Sequence, residues 1–142
     1  MRCCASRRFA AAIVAGRPYP DLDAVDAAVG AQFARLEWPD LAEALDGHPR
    51  IGDRSASGWS RAEQAGTAGM DLALARDLAD ANHGYEQRFG HVFLICASGL
   101  SAEQMLASLR ARLEHDPARE RQVVAAELRK ITELRMRKLL AG

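Results

Sequence analysis

Helix punctuation constrains this chain more than any other feature of it. Phe9 to Ala15 is rich in alanine and stops at Gly16-Arg17-Pro18. Asp21 or Asp23 can cap a second helix reaching about Leu36, with Val25, Val29, Phe33 and Leu36 on one stripe. Pro39 suits the first turn of a short third helix ending near Asp46. Ser60 opens a fourth, and Asp71 a fifth running to about Arg88. Ser101 with Gln104 makes a capping box for a sixth, and Asp116-Pro117 is a cap followed by a first-turn proline for a last helix to about Leu140. A chain divided in this way is all-α. The expectation is one compact domain over residues 1–142, of about six to eight helices, long enough to bury a core.

One stretch breaks the helical pattern. His91 to Ala97 follows a glycine and is bulky or β-branched at most positions, which reads as a buried strand or an extended core segment. No partner strand is visible elsewhere. Its N–H and C=O groups still need partners. Lining a ligand pocket satisfies them, and so does packing against helix ends.

Composition excludes several function classes. Lys+Arg and Asp+Glu each count 19, so nothing draws the chain globally toward nucleic acid or an anionic membrane. The apolar run Val92 to Ala97 is far too short to span a bilayer. Cys3, Cys4 and Cys96 lack CxxC spacing, and Met1 to Arg8 has no apolar signal region behind its charges. The expectation is a reduced, cytoplasmic protein. His48, His83, His91 and His115 share no i,i+3 or i,i+4 spacing, so no metal site is expected.

His48-Pro49-Arg50-Ile51-Gly52 is the segment that most invites a chemical reading. Proline fixes its own φ and drives the preceding residue out of the helical region, so His48 sits on a stiffened loop. An imidazole there can be a general base, since it titrates near about 6.5. It can equally be an ordinary helix stop. Ser60-Arg61-Ala62-Glu63-Gln64 also has two readings. As structure it is a capping box, with Glu63 reaching back to Ser60. As function it sets an acid and an amide at a positive helix end, where polar ligand atoms bind well. Asn82, Tyr85 and Phe89 share a helical face, and Asn82 there needs a buried partner. On the last helix, Val124, Leu128 and Ile131 lead to Leu134 or Arg135 and then Lys138 or Leu139; Glu133 and Arg137 can pair on the surface. An arginine so close to a buried stripe is unusual for structure alone.

Taken in order, these pieces resemble the 2-oxo-4-hydroxy-4-carboxy-5-ureidoimidazoline (OHCU) decarboxylase family, which ends urate breakdown at S-allantoin. The matching residues are His48-Pro-Arg-Ile-Gly52, Ser60-Arg-Ala-Glu-Gln-Ala-Gly66, and Asn82, Tyr85, Arg88-Phe89-Gly90, Phe93 and Ile95-Cys96-Ala97. Met105-Leu106, Leu109, Arg112-Leu113, Glu127-Leu128, Lys130-Ile131 and Leu134-Arg135 follow. Each piece is weak alone; five in order, across roughly residues 17–140, are specific. The resemblance implies an all-helical, cofactor-free decarboxylase that forms a homodimer. It implies catalytic roles for His48 and Glu63. It implies substrate contacts for Pro49, Ser60, Gln64 and Arg135, and for the segment Phe93, Leu94 and Ile95.

The chain also departs from the family pattern. Little precedes the first helix, Phe9 stands where a tryptophan is frequent, and His115 stands where an asparagine before Asp116 is common. Two rival readings remain at this level: a non-catalytic helical interaction module, and an enzyme of the same scaffold acting on a related ureido or hydantoin compound.

Overall fold

A computed structural model describes residues 3–52 and 58–141 of the chain. The middle of the Gly47–Trp59 segment, residues 53–57, lies outside the described residues, as do residues 1–2 and 142. The described residues form seven α-helices and one 3₁₀ turn, with no strand among them: α1 Arg7–Ala15, α2 Leu22–Phe33, α3 Trp38–Leu45, α4 Gly58–Glu63, the 3₁₀ turn Ala65–Thr67, α5 Leu72–Phe89, α6 Ala102–Arg112 and α7 Pro117–Ala141. Among the described residues, no helix is long and apolar enough to cross a membrane. The chain divides into two compact units, Met1–Gly47 with Val123–Gly142, and His48–Gln122.

In the first unit Asp21 supplies the expected cap, and Ser6 and Glu37 supply two that were not expected. Ser6 accepts from the Phe9 amide at 3.2 Å, and Asp21 accepts from that of Ala24 at 2.8 Å. Glu37 and Asp40 close a capping box at α3, with Pro39 in its first turn. Phe9 and Phe33 meet at 5.3 Å between ring centres, with Ile13, Val25 and Val29 buried on the same two helices. α2 ends at Phe33, short of the expected Leu36. Along α7, Val124, Leu128, Ile131 and Arg135 are buried, whereas Leu134 and Leu139 are exposed. The surface pairing also differs from expectation. Glu133 accepts from Arg129 at 2.8 Å, one turn earlier, and Arg137 pairs instead with Asp26 on α2.

Two carboxylates join α1 to α3. Glu43 accepts the Arg7 backbone N–H at 2.6 Å and its guanidinium at 3.1 Å. That backbone bond, then the guanidinium, holds the Glu43 carboxyl below its ordinary value. Asp40 is held low chiefly by the Glu37 N–H and then by Arg8. Both folded-state pKa values lie below their unfolded values. The stabilisation is therefore complete above the ordinary carboxylate range and is lost as pH falls through the lowered values. Thermal midpoints measured from pH 6 down to about 3 should fall across the acid end, and Glu43→Gln should flatten that fall.

In the second unit, Asp71 caps α5 through the Leu74 amide at 2.7 Å, and Gly90 ends it with φ +76°. Ser101 and Gln104 form the capping box that opens α6. The core comprises Ile51, Leu78, Tyr85, Phe93, Ile95, Met105, Leu106 and Leu109. Segment 91–97 is neither helix nor strand, although Phe93, Leu94 and Ile95 are all buried. Gly66 is required by packing. A Cβ at that position would lie 1.9 Å from the Leu100 carbonyl oxygen, a backbone atom that cannot swing aside. Gly66→Ala should cost roughly 1–3 kcal/mol or more, read by urea denaturation.

Candidate active site

Ser60, Glu63 and Gln64 are set by α4, which starts earlier than expected. It begins at Gly58, so Ser60 lies inside the helix and its carbonyl accepts the Gln64 amide at 3.0 Å. A capping box needs its serine at the non-helical cap position. Ser60 does not occupy that position, so the structural reading of this segment gives way. The three side chains are nonetheless buried, Ser60 at 6%, Gln64 at 7% and Glu63 at 9% exposure. Charged and amide side chains are seldom buried without a partner or a ligand to meet.

Gln64 connects this helix to the histidine loop. Its Oε1 accepts the Gly52 N–H at 2.9 Å. A backbone amide can only donate, so this bond identifies which atom of the Gln64 amide is oxygen. Asn82 on α5 donates its Nδ2 to the Ile51 carbonyl at 3.2 Å. Ile51 C=O and Gly52 N–H belong to one peptide unit, and it is gripped at both ends. Gly52 has φ +86°, which favours glycine at the close of the loop. Arg50 adds an ion pair to Glu86 at 2.9 Å. The loop bearing His48 and Pro49, both half-buried, is thus anchored at its far end by Gln64, just past α4, and by Asn82 and Glu86 of α5.

Asn82 shows a signal that sequence reasoning only half caught. The expected buried partner exists for its Nδ2, but its Oδ1 is buried with no partner among the described residues. A concavity of about 680 Å³ lies in this unit, lined by Gly52, Gln64, Thr67, Gly69, Met70 and Asp71. Of the expected site residues, Gln64 lines it. Phe93, Leu94 and Ile95 lie in the same unit on their own segment. Arg135 belongs to the first unit, at 7% exposure on α7. There it faces Cys4, whose thiol is pushed up by burial and drawn down by bonds at Ser6 and Thr132 and by the Arg135 charge.

An all-helical scaffold that buries an acid and an amide beside an anchored histidine loop is of the class equipped to receive a small polar molecule and act on it by acid–base chemistry. Comparison with known proteins narrows the class to carboxy-lyases. A sequence profile described as OHCU decarboxylase matches residues 1–137. The uric acid degradation bifunctional protein TTL of Arabidopsis thaliana is 35% identical over 98% of this chain, which spans only 45% of that protein's length. The 2-oxo-4-hydroxy-4-carboxy-5-ureidoimidazoline decarboxylase of Amia calva is 33% identical, covering 92% of this chain and 79% of its own. A crystal structure of OHCU decarboxylase in the presence of (S)-allantoin matches with a TM-score of 0.87 at 34% identity, over 99% of this chain and 96% of that one. The chain belongs to the OHCU decarboxylase family.

Proposed function

We propose that the protein decarboxylates OHCU to S-allantoin and CO₂ without a cofactor. The observation that carries this reading is the buried Glu63–Gln64 pair tied through Gly52 to the His48 loop. The substrate carries its own electron sink. Its carboxylate sits on a carbon that bears a hydroxyl and adjoins a C=N carbon. Loss of CO₂ pushes the bond's electrons into that C=N, giving an enamine that is then protonated on one face.

The protein's tasks are to orient the scissile bond across the ring π system, to relieve the hydroxyl of its proton, and to favour one face. His48 is the base for the hydroxyl. Glu63 takes the ureido or ring N–H groups. With its Oε1 turned to the Gly52 N–H, Gln64 offers the substrate Nε2 as a donor toward a carbonyl oxygen. Ser60 and Pro49 line the ligand, and the backbone of Phe93 to Ile95 gives it hydrogen bonds. Arg135, assigned by family resemblance, holds a ring or ureido oxygen. A firm grip on the departing carboxylate would stabilise the ground state and oppose the reaction.

In this reading the chain works as one catalytic domain over residues 1–142, as a homodimer in the cytoplasm. Sedimentation equilibrium tests the dimer. The function is tested by generating OHCU in situ from urate, adding the protein and following S-allantoin by circular dichroism. Rapid growth of the S-allantoin signal supports the proposal, and a rate no faster than spontaneous racemic decay refutes it. The same assay with related ureido or hydantoin compounds separates the alternative substrate class.

A further inference from the structure

None of the roles given above to His48, Glu63, Gln64 and Arg135 involves the buried Arg112–Glu120 ion pair of the second unit. Glu120, in the first turns of α7, is fully buried. Its Oε1 accepts the Tyr85 hydroxyl at 2.7 Å, Arg112 Nε at 2.7 Å and also Arg112 Nη2. Its Oε2 lies 3.0 Å from His115 Nδ1. Burial, and then the Glu120 carboxylate, pushes the Tyr85 hydroxyl up, which keeps it a donor. Arg112 is itself 5% exposed, so its guanidinium is held in place rather than sampling solvent.

The rest of Arg112 reaches the segment assigned to the substrate. Nη1 donates to the Leu94 carbonyl at 2.7 Å, and the guanidinium carbon lies 4.5 Å over the centre of the Phe93 ring. A peptide unit is planar, and in the trans form its C=O and the following N–H point in opposite directions. The Leu94–Ile95 bond is trans; Arg17–Pro18 is the cis bond of the described residues. By holding the Leu94 oxygen, Arg112 therefore aims the Ile95 N–H directly away from itself. Stacking on Phe93 pins the preceding residue as well.

We infer that Arg112, anchored by Glu120, is a positioning residue for substrate binding: it sets the direction of the Ile95 N–H that the substrate accepts. This rests on the reading of Phe93 to Ile95 as the ligand-lining segment. A stability role alone is a weaker account, since a buried ion pair contributes little net stability over apolar packing. It also leaves unexplained why the third nitrogen reaches a loop carbonyl. Arginine suits the task because its rigid fork serves two partners at once, and a lysine ammonium at this site cannot.

The test is Arg112→Lys in the in situ OHCU assay, with KM and kcat measured separately and a thermal melt alongside. Lysine keeps a cation beside Glu120 but releases Leu94. The expected result is a folded protein with KM raised about tenfold, equivalent to one misdirected hydrogen bond, and kcat changed less than about threefold. Wild-type KM in folded Arg112→Lys, or a fall in kcat alone, overturns the inference and leaves the proposed function standing. An inactive wild-type protein overturns both. Should Arg112→Lys fail to fold, Glu120→Gln carries the test, because it keeps Arg112 and an acceptor for Tyr85 while removing the charge that anchors Arg112. A KM raised about threefold supports the inference there, and an unchanged KM overturns it.

Discussion

Replacing His48 by alanine is expected to lower turnover of OHCU by about 10²–10⁴ while the protein still folds. The size follows from the task. Removing the hydroxyl proton as CO₂ departs is general-base work, and the ring supplies it near neutrality. The retained fold follows from the way the loop is held. Its far end is fixed by Gln64 and Asn82 on the Ile51–Gly52 peptide, and Arg50 is paired with Glu86. Asparagine at this position keeps hydrogen-bonding capacity but cannot exchange a proton near neutral pH, so His48→Asn should lose nearly as much. It should also remove any acid limb from the kcat/KM profile that depends on the imidazole. Near-normal rates in both folded variants would falsify the base role of His48.

Glu120→Ala is expected to bring the largest loss of stability in the protein, about 3–5 kcal/mol. Deletion strands the buried Arg112 charge without its counter-ion and takes the acceptor from the Tyr85 hydroxyl. Leaving such donors unsatisfied in a dry interior costs more than making the bonds contributes. The pair itself is a different matter. Replacing Arg112 and Glu120 together with apolar side chains of similar volume, as in Arg112→Met with Glu120→Leu, should recover much of the loss. Urea denaturation of the two single variants and the double variant forms the cycle that checks this. Additive losses would mean that the two residues act separately, contrary to the geometry.

Features that depend on local chemistry were legible in the residues. Asp21, Asp71 and Ser101 cap the helices assigned to them, and Gly90 ends α5, because each works within a turn of its own position. What depends on distant partners was not. Ser60-x-x-Glu63 reads as a capping box, yet the helix begins at Gly58, a residue whose low helix propensity gave no hint of a start. Glu120 sits in a first turn, where an acid usually faces solvent. It is buried because Tyr85 and Arg112, 35 and 8 residues away, converge on it. Arg137 finds Asp26 across 111 residues rather than its helical neighbour. The partnerless apolar stretch did signal itself. Its side-chain tie from Arg112 to Leu94 could not be read from spacing. At the site, residue types and order were visible through family resemblance, whereas the grip on the Ile51–Gly52 peptide was not.

The division of the chain carries a vectorial consequence. His48–Gln122 is contiguous, so its core can assemble as soon as those residues have emerged from the ribosome. The other unit is stitched from the leading segment and the C-terminal portion of α7. During synthesis its first three helices can pack on one another, as Phe9 does on Phe33, but the unit is complete only when residues 123–141 arrive. That interval is when the nascent polypeptide is most exposed to aggregation and most in need of a chaperone.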